Sequence, residues 1–165
     1  MAFAVEKLSE LGADMLIPTV FRRSLDAGVR VDTSKIARWR RTAVEAAKQC
    51  GRSFLLDVKV PCTLDALLED LAHFDQKIVL STAQHARASH TEGAEKNLPF
   101  IEVLHGPESA PTESLVLVGP EGGFTPEEDH RIRENGFVPA SLGKKILRIE
   151  TAAVAAAAIF RSCRD

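Results

Sequence analysis

The sequence has few cysteines and no long apolar run. Its three cysteines, Cys50, Cys62 and Cys163, are far apart, and no two of them form a Cys-x-x-Cys pair. This pattern argues against a disulfide framework and a structural zinc site, and it favours a reducing cytoplasm. No apolar stretch approaches the roughly 20 residues of a membrane span, and the early charges of Glu6 and Lys7 argue against a secretory signal peptide. We therefore expect a cytoplasmic protein without a membrane segment.

Patterns typical of metal binding are also missing. The five histidines, at positions 73, 85, 90, 105 and 130, show no His-x-x-x-His spacing and no acidic residue placed to complete a metal site. We interpret them as surface or loop residues and expect no metal.

Positive charge is unevenly distributed along the chain. The formal net charge of −2 argues against a uniformly basic nucleic-acid-binding protein. Residues 22–52 nevertheless hold nine basic and three acidic side chains, a local charge of +6, which leaves −8 for the remainder. Such a patch can bind phosphates even on an acidic protein. A solvated helix face is the alternative.

The most informative segment is residues 115–126. Its first four residues are aliphatic without alternation, which is typical of a strand buried on both faces of a parallel sheet. Thr125 followed by Pro126 is a favourable helix start. Between them, residues 119–123 (Gly-Pro-Glu-Gly-Gly) allow a ligand to approach the backbone at the carboxyl end of a strand, although a simple turn is the alternative. The loop lacks the lysine and hydroxyl residue of a P-loop and the Gly-x-Gly-x-x-Gly order, so its ligand need not carry a phosphate.

Predicted helices and predicted strands alternate along the chain. The patterns predict helices over 3–11, 34–51, 63–72, 125–135 and 150–163, and strands over 15–20, 54–58, 77–81, 115–118 and 138–142. Residues 99–104 fit either type, residues 106–114 read as a linker, and Trp39 is predicted to pack inward. This order indicates a single-domain α/β fold around a mainly parallel sheet.

The predicted last helix is rich in alanine, with six alanines between residues 152 and 158. One explanation for this composition is the high helix propensity of alanine. Alternatively, the small side chains let neighbouring backbone pass close by, as they would if loops or a second subunit surrounded the helix. The sequence alone leaves both explanations open.

Five segments in order resemble one family, the SPOUT-class methyltransferases that modify N3 of a uridine in 16S ribosomal RNA. Lys7-x-x-Glu10-Leu11-Gly12 resembles the first helix of that family, residues 22–24 its basic loop, and residues 38–52 its arginine-bearing helix. Residues 119–123 and 142–152 resemble its two cofactor loops, which are the most specific part of the signal. Each segment alone is weak evidence for the family. Five segments in the same order, spread over nearly the whole chain, make a coincidence improbable.

The resemblance implies a homodimer and an α/β fold with flanking helices and a C-terminal deep trefoil knot, an exception to the rule that chains do not knot. It also implies S-adenosylmethionine (SAM) as the cofactor, bound in the knot mainly by backbone groups. The implied cofactor residues are Val118, Gly119, Pro120, Glu121, Gly122, Gly123, Leu142, Gly143, Ile146 and Leu147. The implied partner is the 16S RNA of the small ribosomal subunit, with phosphates meeting Arg22, Arg23, Arg38 and Arg41.

The implied reaction moves a methyl group from a sulfonium to uracil N3, whose proton must leave before or during the attack. An arginine near the uracil carbonyls would stabilise the developing negative charge, and close placement would supply much of the rate. We predict Arg52 and Arg148 for this role, and Glu150 as the base or as the carboxylate that orients Arg148. Capping of the last helix is the alternative for Glu150.

The sequence departs from the family pattern in two places. The family normally carries an N-terminal RNA-binding barrel of the PUA type, and we expect residues 1–165 to be the SPOUT domain without that barrel. Ile149 stands where the family usually has threonine, which removes a hydroxyl contact from the knot loop. Two other functions stay open: a SPOUT enzyme for another RNA position, such as a ribose 2′-hydroxyl, and a non-catalytic dimeric domain that binds cofactor or RNA.

Overall fold

A computed structural model describes residues 1–24, 32–80, 98–104 and 113–163. The helices in these ranges are α1 (Ala2–Leu11), α2 (Thr33–Cys50), α3 (Leu64–Leu68), α4 (Phe100–Leu104), α5 (Pro126–Glu134) and α6 (Ile149–Ser162). The strands are β1 (Met15–Leu16), β2 (Thr19–Val20), β3 (Asp57–Val58), β4 (Cys62–Thr63), β5 (Gln76–Leu80), β6 (Leu98–Pro99), β7 (Ser114–Val118) and β8 (Val138–Ser141). The alternation of strands and helices agrees with the predicted α/β class.

The main sheet has four parallel strands in the order β6-β8-β5-β7. The central strand β5 pairs on one side with β7, where Ile78 lies opposite Val116, and on the other side with β8, where Ile78 lies opposite Val138. Because all of these pairs are parallel, the carboxyl ends of β5, β7 and β8 meet at one edge of the sheet. The predicted mainly parallel sheet with flanking helices is confirmed.

Two further parallel pairs, β1 with β3 and β2 with β4, lie outside the main sheet. The sequence predicts a single strand over 15–20, and that prediction is wrong because the strand is interrupted at Pro18. Proline has no N–H to give to a ladder; the Pro18 carbonyl instead accepts a hydrogen bond from the Cys62 N–H at 3.0 Å. The chain therefore changes its pairing partner at this point.

Helix α1 lies between α2 and α6. It approaches α2 closely because Ser9 is fully buried and its hydroxyl donates to the Ala43 carbonyl at 3.2 Å. Helix α2 begins at Asp32, whose carboxylate accepts from the N–H groups of Ser34 and Lys35. Trp39 is half buried against the core shared with α1, in agreement with its predicted inward packing.

The core consists of three clusters of buried side chains. The first lies under α3 and α5 and includes Leu67, Leu117 and Ile132; the second joins α1 to α2. The third packs α4 and α6 on the main sheet around Ile78 and Ala156. The alanine-rich helix thus contributes a small side chain to a densely packed part of the core.

Other predicted elements differ from the structure in length. The strand predicted over 54–58 is limited to β3, with Phe54 exposed, and the helix predicted over 63–72 ends at Leu68, after which a turn places Leu71 in the core. Residues 99–104 are mostly helix, since β6 ends at Pro99. Residue 81, most of the predicted linker and the histidines at 85, 90 and 105 lie outside the described residues. Within the described ranges, no helix has the length and apolarity needed to cross a membrane.

Candidate functional site

The glycine loop, residues 119–123, directly follows β7. A Cβ on Gly119 would lie 2.7 Å from Cζ of Phe124, so a larger residue cannot fit unless that ring moves. Gly123 has φ +68°, a conformation that favours glycine, and its N–H donates to the Pro120 carbonyl at 2.8 Å. The loop is therefore a tight turn packed under an aromatic ring.

A second loop, residues 142–147, follows β8. Gly143 has φ +124°, and the Ser141 hydroxyl both accepts from the Gly143 N–H at 3.1 Å and donates to its carbonyl at 3.0 Å. Because β7 and β8 flank β5, the two loops leave the same edge of the sheet on either side of Leu80, the last residue of β5. This edge is where parallel α/β sheets bind their ligands.

A cleft that is open to solvent lies between the two loops. Nine of the ten predicted cofactor residues line it: Val118, Gly119, Pro120, Glu121, Gly123, Leu142, Gly143, Ile146 and Leu147. Its remaining lining residues are Leu80, Phe124, Lys145, Ile149 and Ala152. Most of these side chains are apolar, and both loops present backbone groups, so the cleft suits a ligand with apolar surface and a few polar groups.

Gly122, the tenth predicted cofactor residue, does not line the cleft. It faces the predicted basic loop, residues 22–24, to which the structure adds Phe21; we call residues 21–24 the basic loop from here on. A Cβ on Gly122 would lie 3.1 Å from Cβ of Arg23 and 3.4 Å from its carbonyl oxygen. The Arg23 guanidinium donates from Nη1 to the carbonyl oxygens of Gly122 at 3.1 Å and Phe124 at 3.3 Å. The glycine loop therefore touches the cleft on one side and the basic loop on the other.

Glu128 joins the basic loop to the start of α5. Its carboxylate is 6% exposed; Oε1 accepts from the Arg22 N–H and Oε2 from the Thr125 N–H, both at 2.8 Å. The Thr125 hydroxyl accepts from the Glu128 N–H, which completes a capping box. The Thr-x-x-Glu spacing makes that box readable in the sequence. The contact with Arg22, 106 residues away, has no local signal.

The neighbouring carboxylate of Glu127 is exposed on the same turn. Hydrogen bonds from its own backbone N–H and from the Thr125 hydroxyl hold the pKa of Glu127 below its ordinary value, and the positive charges of Arg22 and Arg23 lower it further. Glu127 therefore stays ionised and partly offsets the charge of the basic loop.

The three predicted catalytic residues lie in two places. Arg148 and Glu150 flank the cleft residue Ile149 at the start of α6, where Arg148 is the N-cap residue with an exposed side chain. The Glu150 carboxylate lies 3.7 Å from the amino group of Met1. Arg52 lies against the end of α1, where its Nη1 donates to the carbonyls of residue 9 at 2.8 Å and residue 13 at 3.3 Å.

Arg38 and Arg41, predicted to meet RNA, are exposed on α2. Their neighbour Arg40 instead donates from Nε to the Val58 carbonyl at 3.0 Å and helps to hold α2 on β3. No described contact joins the arginines of α2 to the basic loop. Across the described ranges, no cluster of His, Cys, Asp or Glu could hold a metal ion.

Residues 1–161 match the sequence profile of a family described as RNA methyltransferase domain. This chain belongs to that family. The match confirms the family resemblance predicted from the five ordered segments. The first of those segments begins in α1 and the last ends in α6, so the RNA methyltransferase domain includes both of the described loops and the cleft between them.

Curated relatives of this RNA methyltransferase domain carry the name ribosomal RNA small subunit methyltransferase E. The protein from Buchnera aphidicola is 29% identical over 158 residues, covering 94% of this chain and 56% of the relative. The protein from Aquifex aeolicus is 31% identical over 155 residues, covering 94% and 59%. The chain thus spans about half the length of the curated relatives that it matches.

Solved structures share the fold of the RNA methyltransferase domain. A ribosomal RNA small subunit methyltransferase E from Neisseria gonorrhoeae, bound to S-adenosyl methionine, matches with a TM-score of 0.74 and 28% identity over 99% of this chain and 60% of that chain. A protein from Legionella pneumophila in complex with the bound cofactor SAM matches with a TM-score of 0.76 and 28% identity over 99% and 61%.

Proposed function

We propose that this chain is a SAM-dependent methyltransferase that acts on N3 of a uridine in the 16S RNA of the small ribosomal subunit. The observation that carries the proposal is the apolar cleft between two glycine-containing loops, in a fold shared with two SAM-bound structures. Because ribosomal RNA is the substrate, the proposed reaction is cytoplasmic. The relatives' names supply the substrate class, and the resemblance of the motifs supplies the N3 position.

The lining of the cleft fits SAM. The adenine needs an apolar slot, which Leu80, Leu142 and Ile149 help to form, and its polar edge needs the backbone groups that both loops carry. When bound, SAM supplies an electrophilic methyl group on a positively charged sulfur. Glu121 is the acidic side chain on the described wall of the cleft, and it offers a counter-charge for such a ligand.

Replacing Gly119 by alanine is expected to lower the stability by about 1–3 kcal/mol and to weaken SAM binding, because the Phe124 ring that the new methyl group displaces lines the cleft. Gly119 does not have a positive φ, so the effect comes from the contact of the new methyl group with the Phe124 ring. Calorimetry with SAM measures it. Adding Phe124→Leu to Gly119→Ala should restore part of the affinity, and unchanged affinity in the single variant would remove Gly119 from the proposed cofactor site.

The proposed chemistry uses Arg148 and Glu150 beside the cleft. A guanidinium placed at the uracil carbonyls stabilises the negative charge that develops as the N3 proton leaves. Glu150 lies two residues further along α6, so it serves as the base for that proton or holds Arg148 in place. The positions of both residues at the start of α6, next to Ile149 of the cleft, support this assignment.

We also propose Arg52 for the stabilisation of the uracil, and its contacts predict a second effect of replacing it. Arg52→Ala should depress methyl transfer, leave SAM affinity intact and lower the stability by about 1–3 kcal/mol, because two carbonyls at the end of α1 lose a charged donor. Thermal unfolding, calorimetry and turnover measured on one preparation test all three. Arg52→Lys is the matched variant that keeps the charge. Normal turnover in Arg52→Ala would sink the catalytic assignment.

The proposed RNA surface combines the basic loop with α2. The basic loop lies against the glycine loop, and the exposed side chains of Arg22, Arg38 and Arg41 suit phosphate contacts. The local charge of +6 in residues 22–52 supports binding to RNA by a protein that is acidic as a whole.

We also propose that residues 1–165 form one SPOUT domain with a C-terminal deep trefoil knot, and that two copies form a homodimer. Support for the knot comes from α6, whose buried Ala152 and Ala156 let it pass close to the sheet and to the second loop. Support for the dimer comes from the large apolar side chains of Phe3 and Ile146, which are 55% and 63% exposed in the single chain.

The deciding experiment is transfer of labelled methyl from SAM to small ribosomal subunits that lack the modification, with sedimentation and SAM binding recorded on the same preparation. Incorporation at uridine N3 by a dimer is the expected result. Incorporation at another position would replace the substrate assignment, and binding without incorporation would favour the non-catalytic alternative. A monomer that methylates would contradict the homodimer alone.

A further inference from the structure

The basic loop makes several contacts with the glycine loop and with the residues that follow it. The Arg22 N–H is held by Glu128, and the Arg23 guanidinium is held by the carbonyls of Gly122 and Phe124. In addition, the rings of Phe21 and Phe124 meet edge to face with their centroids 5.3 Å apart. Three hydrogen bonds and an aromatic contact thus join the basic loop to residues 122–128, about 100 residues away in the sequence.

Phe124 belongs to both surfaces. It lines the cleft, its ring lies against Gly119, and its carbonyl accepts from Arg23. Gly122 likewise lies where a side chain would meet Arg23. The shape of residues 122–124 and the position of the basic loop are therefore tied by direct contacts.

The two arginines of the basic loop have different surroundings. Arg22 is held by its backbone N–H and has an exposed side chain, whereas the guanidinium of Arg23 donates to the carbonyls of Gly122 and Phe124. These hydrogen bonds of the Arg23 guanidinium hold the basic loop against residues 122–124. The position of Arg22 relative to the cleft therefore depends on the hydrogen bonds that Arg23 makes.

We propose that Glu128 and Arg23 are positioning residues that couple the cleft to the RNA surface, so that filling the cleft strengthens RNA binding through Arg22. This inference rests on the proposed function, since it needs a cofactor in the cleft and RNA at the basic loop. Such coupling is reciprocal: RNA raises the affinity of the cleft by the same factor as the cleft ligand raises the affinity for RNA.

The coupling is measured by equilibrium dialysis of labelled S-adenosylhomocysteine, which lacks the methyl group and does not react, with and without unmodified small ribosomal subunits. The wild-type chain should bind it about tenfold more tightly when subunits are present, within the usual range of coupling factors. Arg23→Ala and Glu128→Ala should bring this factor close to one. An unchanged factor in Arg23→Ala would overturn the proposal.

Thr125→Ala is the matched control for Glu128. It removes the hydroxyl half of the capping box but leaves the carboxylate that accepts from the Arg22 N–H. If Glu128 acted only as a helix cap, Thr125→Ala would lose the coupling as well, and that result would overturn the proposal. The expected result is that Thr125→Ala keeps the wild-type factor. If Glu128→Ala fails to fold, Arg23→Ala decides alone, because the Arg23 side chain is exposed.

Salt dependence separates the two arginines. Arg22→Ala should reduce the slope of log affinity for subunits against log salt by about one, as expected for one lost phosphate contact. Arg23→Ala should weaken binding in the presence of S-adenosylhomocysteine with little change in slope. A slope reduced by Arg23→Ala as much as by Arg22→Ala would make Arg23 a phosphate ligand and overturn its positioning role.

The outcomes for the inference and for the proposed function are distinguishable. Wild-type chain that binds S-adenosylhomocysteine and subunits independently, with a factor of one, overturns the coupling and leaves the methyltransferase proposal standing. Wild-type chain that binds neither overturns both.

Discussion

Replacing Arg148 by alanine is expected to lower the turnover of methyl transfer by about 10²–10³-fold, the usual loss when one donor to a developing negative charge is removed. Arg148 is the N-cap residue of α6, yet in the described structure its side chain does not cap the helix, so alanine should preserve the fold. SAM affinity should stay near the wild-type value. Single-turnover methyl transfer at saturating subunits, with calorimetry for SAM, measures the two effects separately.

Lys144→Ala is the matched control for Arg148→Ala. Lys144 is an exposed cation in the second loop, shortly before Arg148, and does not line the cleft. Its loss lowers the net charge by the same amount as the loss of Arg148. We expect turnover close to wild type. Equal losses in the two variants would mean that general charge, and not a guanidinium at the uracil, accounts for the effect. Arg148→Lys should recover only part of the rate because the ammonium lacks the planar fork.

Replacing Ala156 by leucine is expected to lower the Tm by about 5–10 °C, the effect of about 2–3 kcal/mol of overpacking in a domain of this size. Ala156 is 2% exposed and packs in the third core cluster with Ile78 and Phe100. A leucine there has no space unless α6 moves away from the sheet. Because α6 begins at the edge of the cleft, SAM binding should weaken as well.

Ala158→Leu is the control for Ala156→Leu, since it makes the same change on the exposed face of the same helix. Its Tm should stay within about 2 °C of wild type, because exposed substitutions usually change stability by less than about 0.5 kcal/mol. Calorimetric melting of both variants is the measurement. A stable Ala156→Leu chain would show that the alanines of α6 reflect helix propensity and not close packing.

Nine of the ten residues that the family resemblance implied for the cofactor line one cleft. The first loop could also be predicted from local features, because a tight glycine turn after a buried strand and a helix start with a proline are determined by neighbouring residues. Leu80 was not predicted for the site, since its role depends on β5 lying between β7 and β8. Gly122 shows the same limit: its motif places it in the loop but does not tell which side it faces.

Strand lengths were harder to predict than strand positions. Pro18 marks a break in the strand predicted over 15–20, but the change of partner from β3 to β4 at this point depends on which segments lie alongside. The helix predicted over 63–72 is shorter because packing of Leu71 in the core overrides local helix preference.

The sequence by itself determined the α/β class, the parallel sheet and the glycine loop at the carboxyl end of a strand, because hydrophobic periodicity, glycine and helix caps act over a few residues. The second loop was predicted only from the family resemblance. Only the tertiary structure decided that Arg23 and Glu128 hold the basic loop on the glycine loop, and that Arg52 binds the end of α1. An arginine in a sequence carries charge and donors without indicating its acceptor. That acceptor is fixed only when segments about 40 to 100 residues apart pack together.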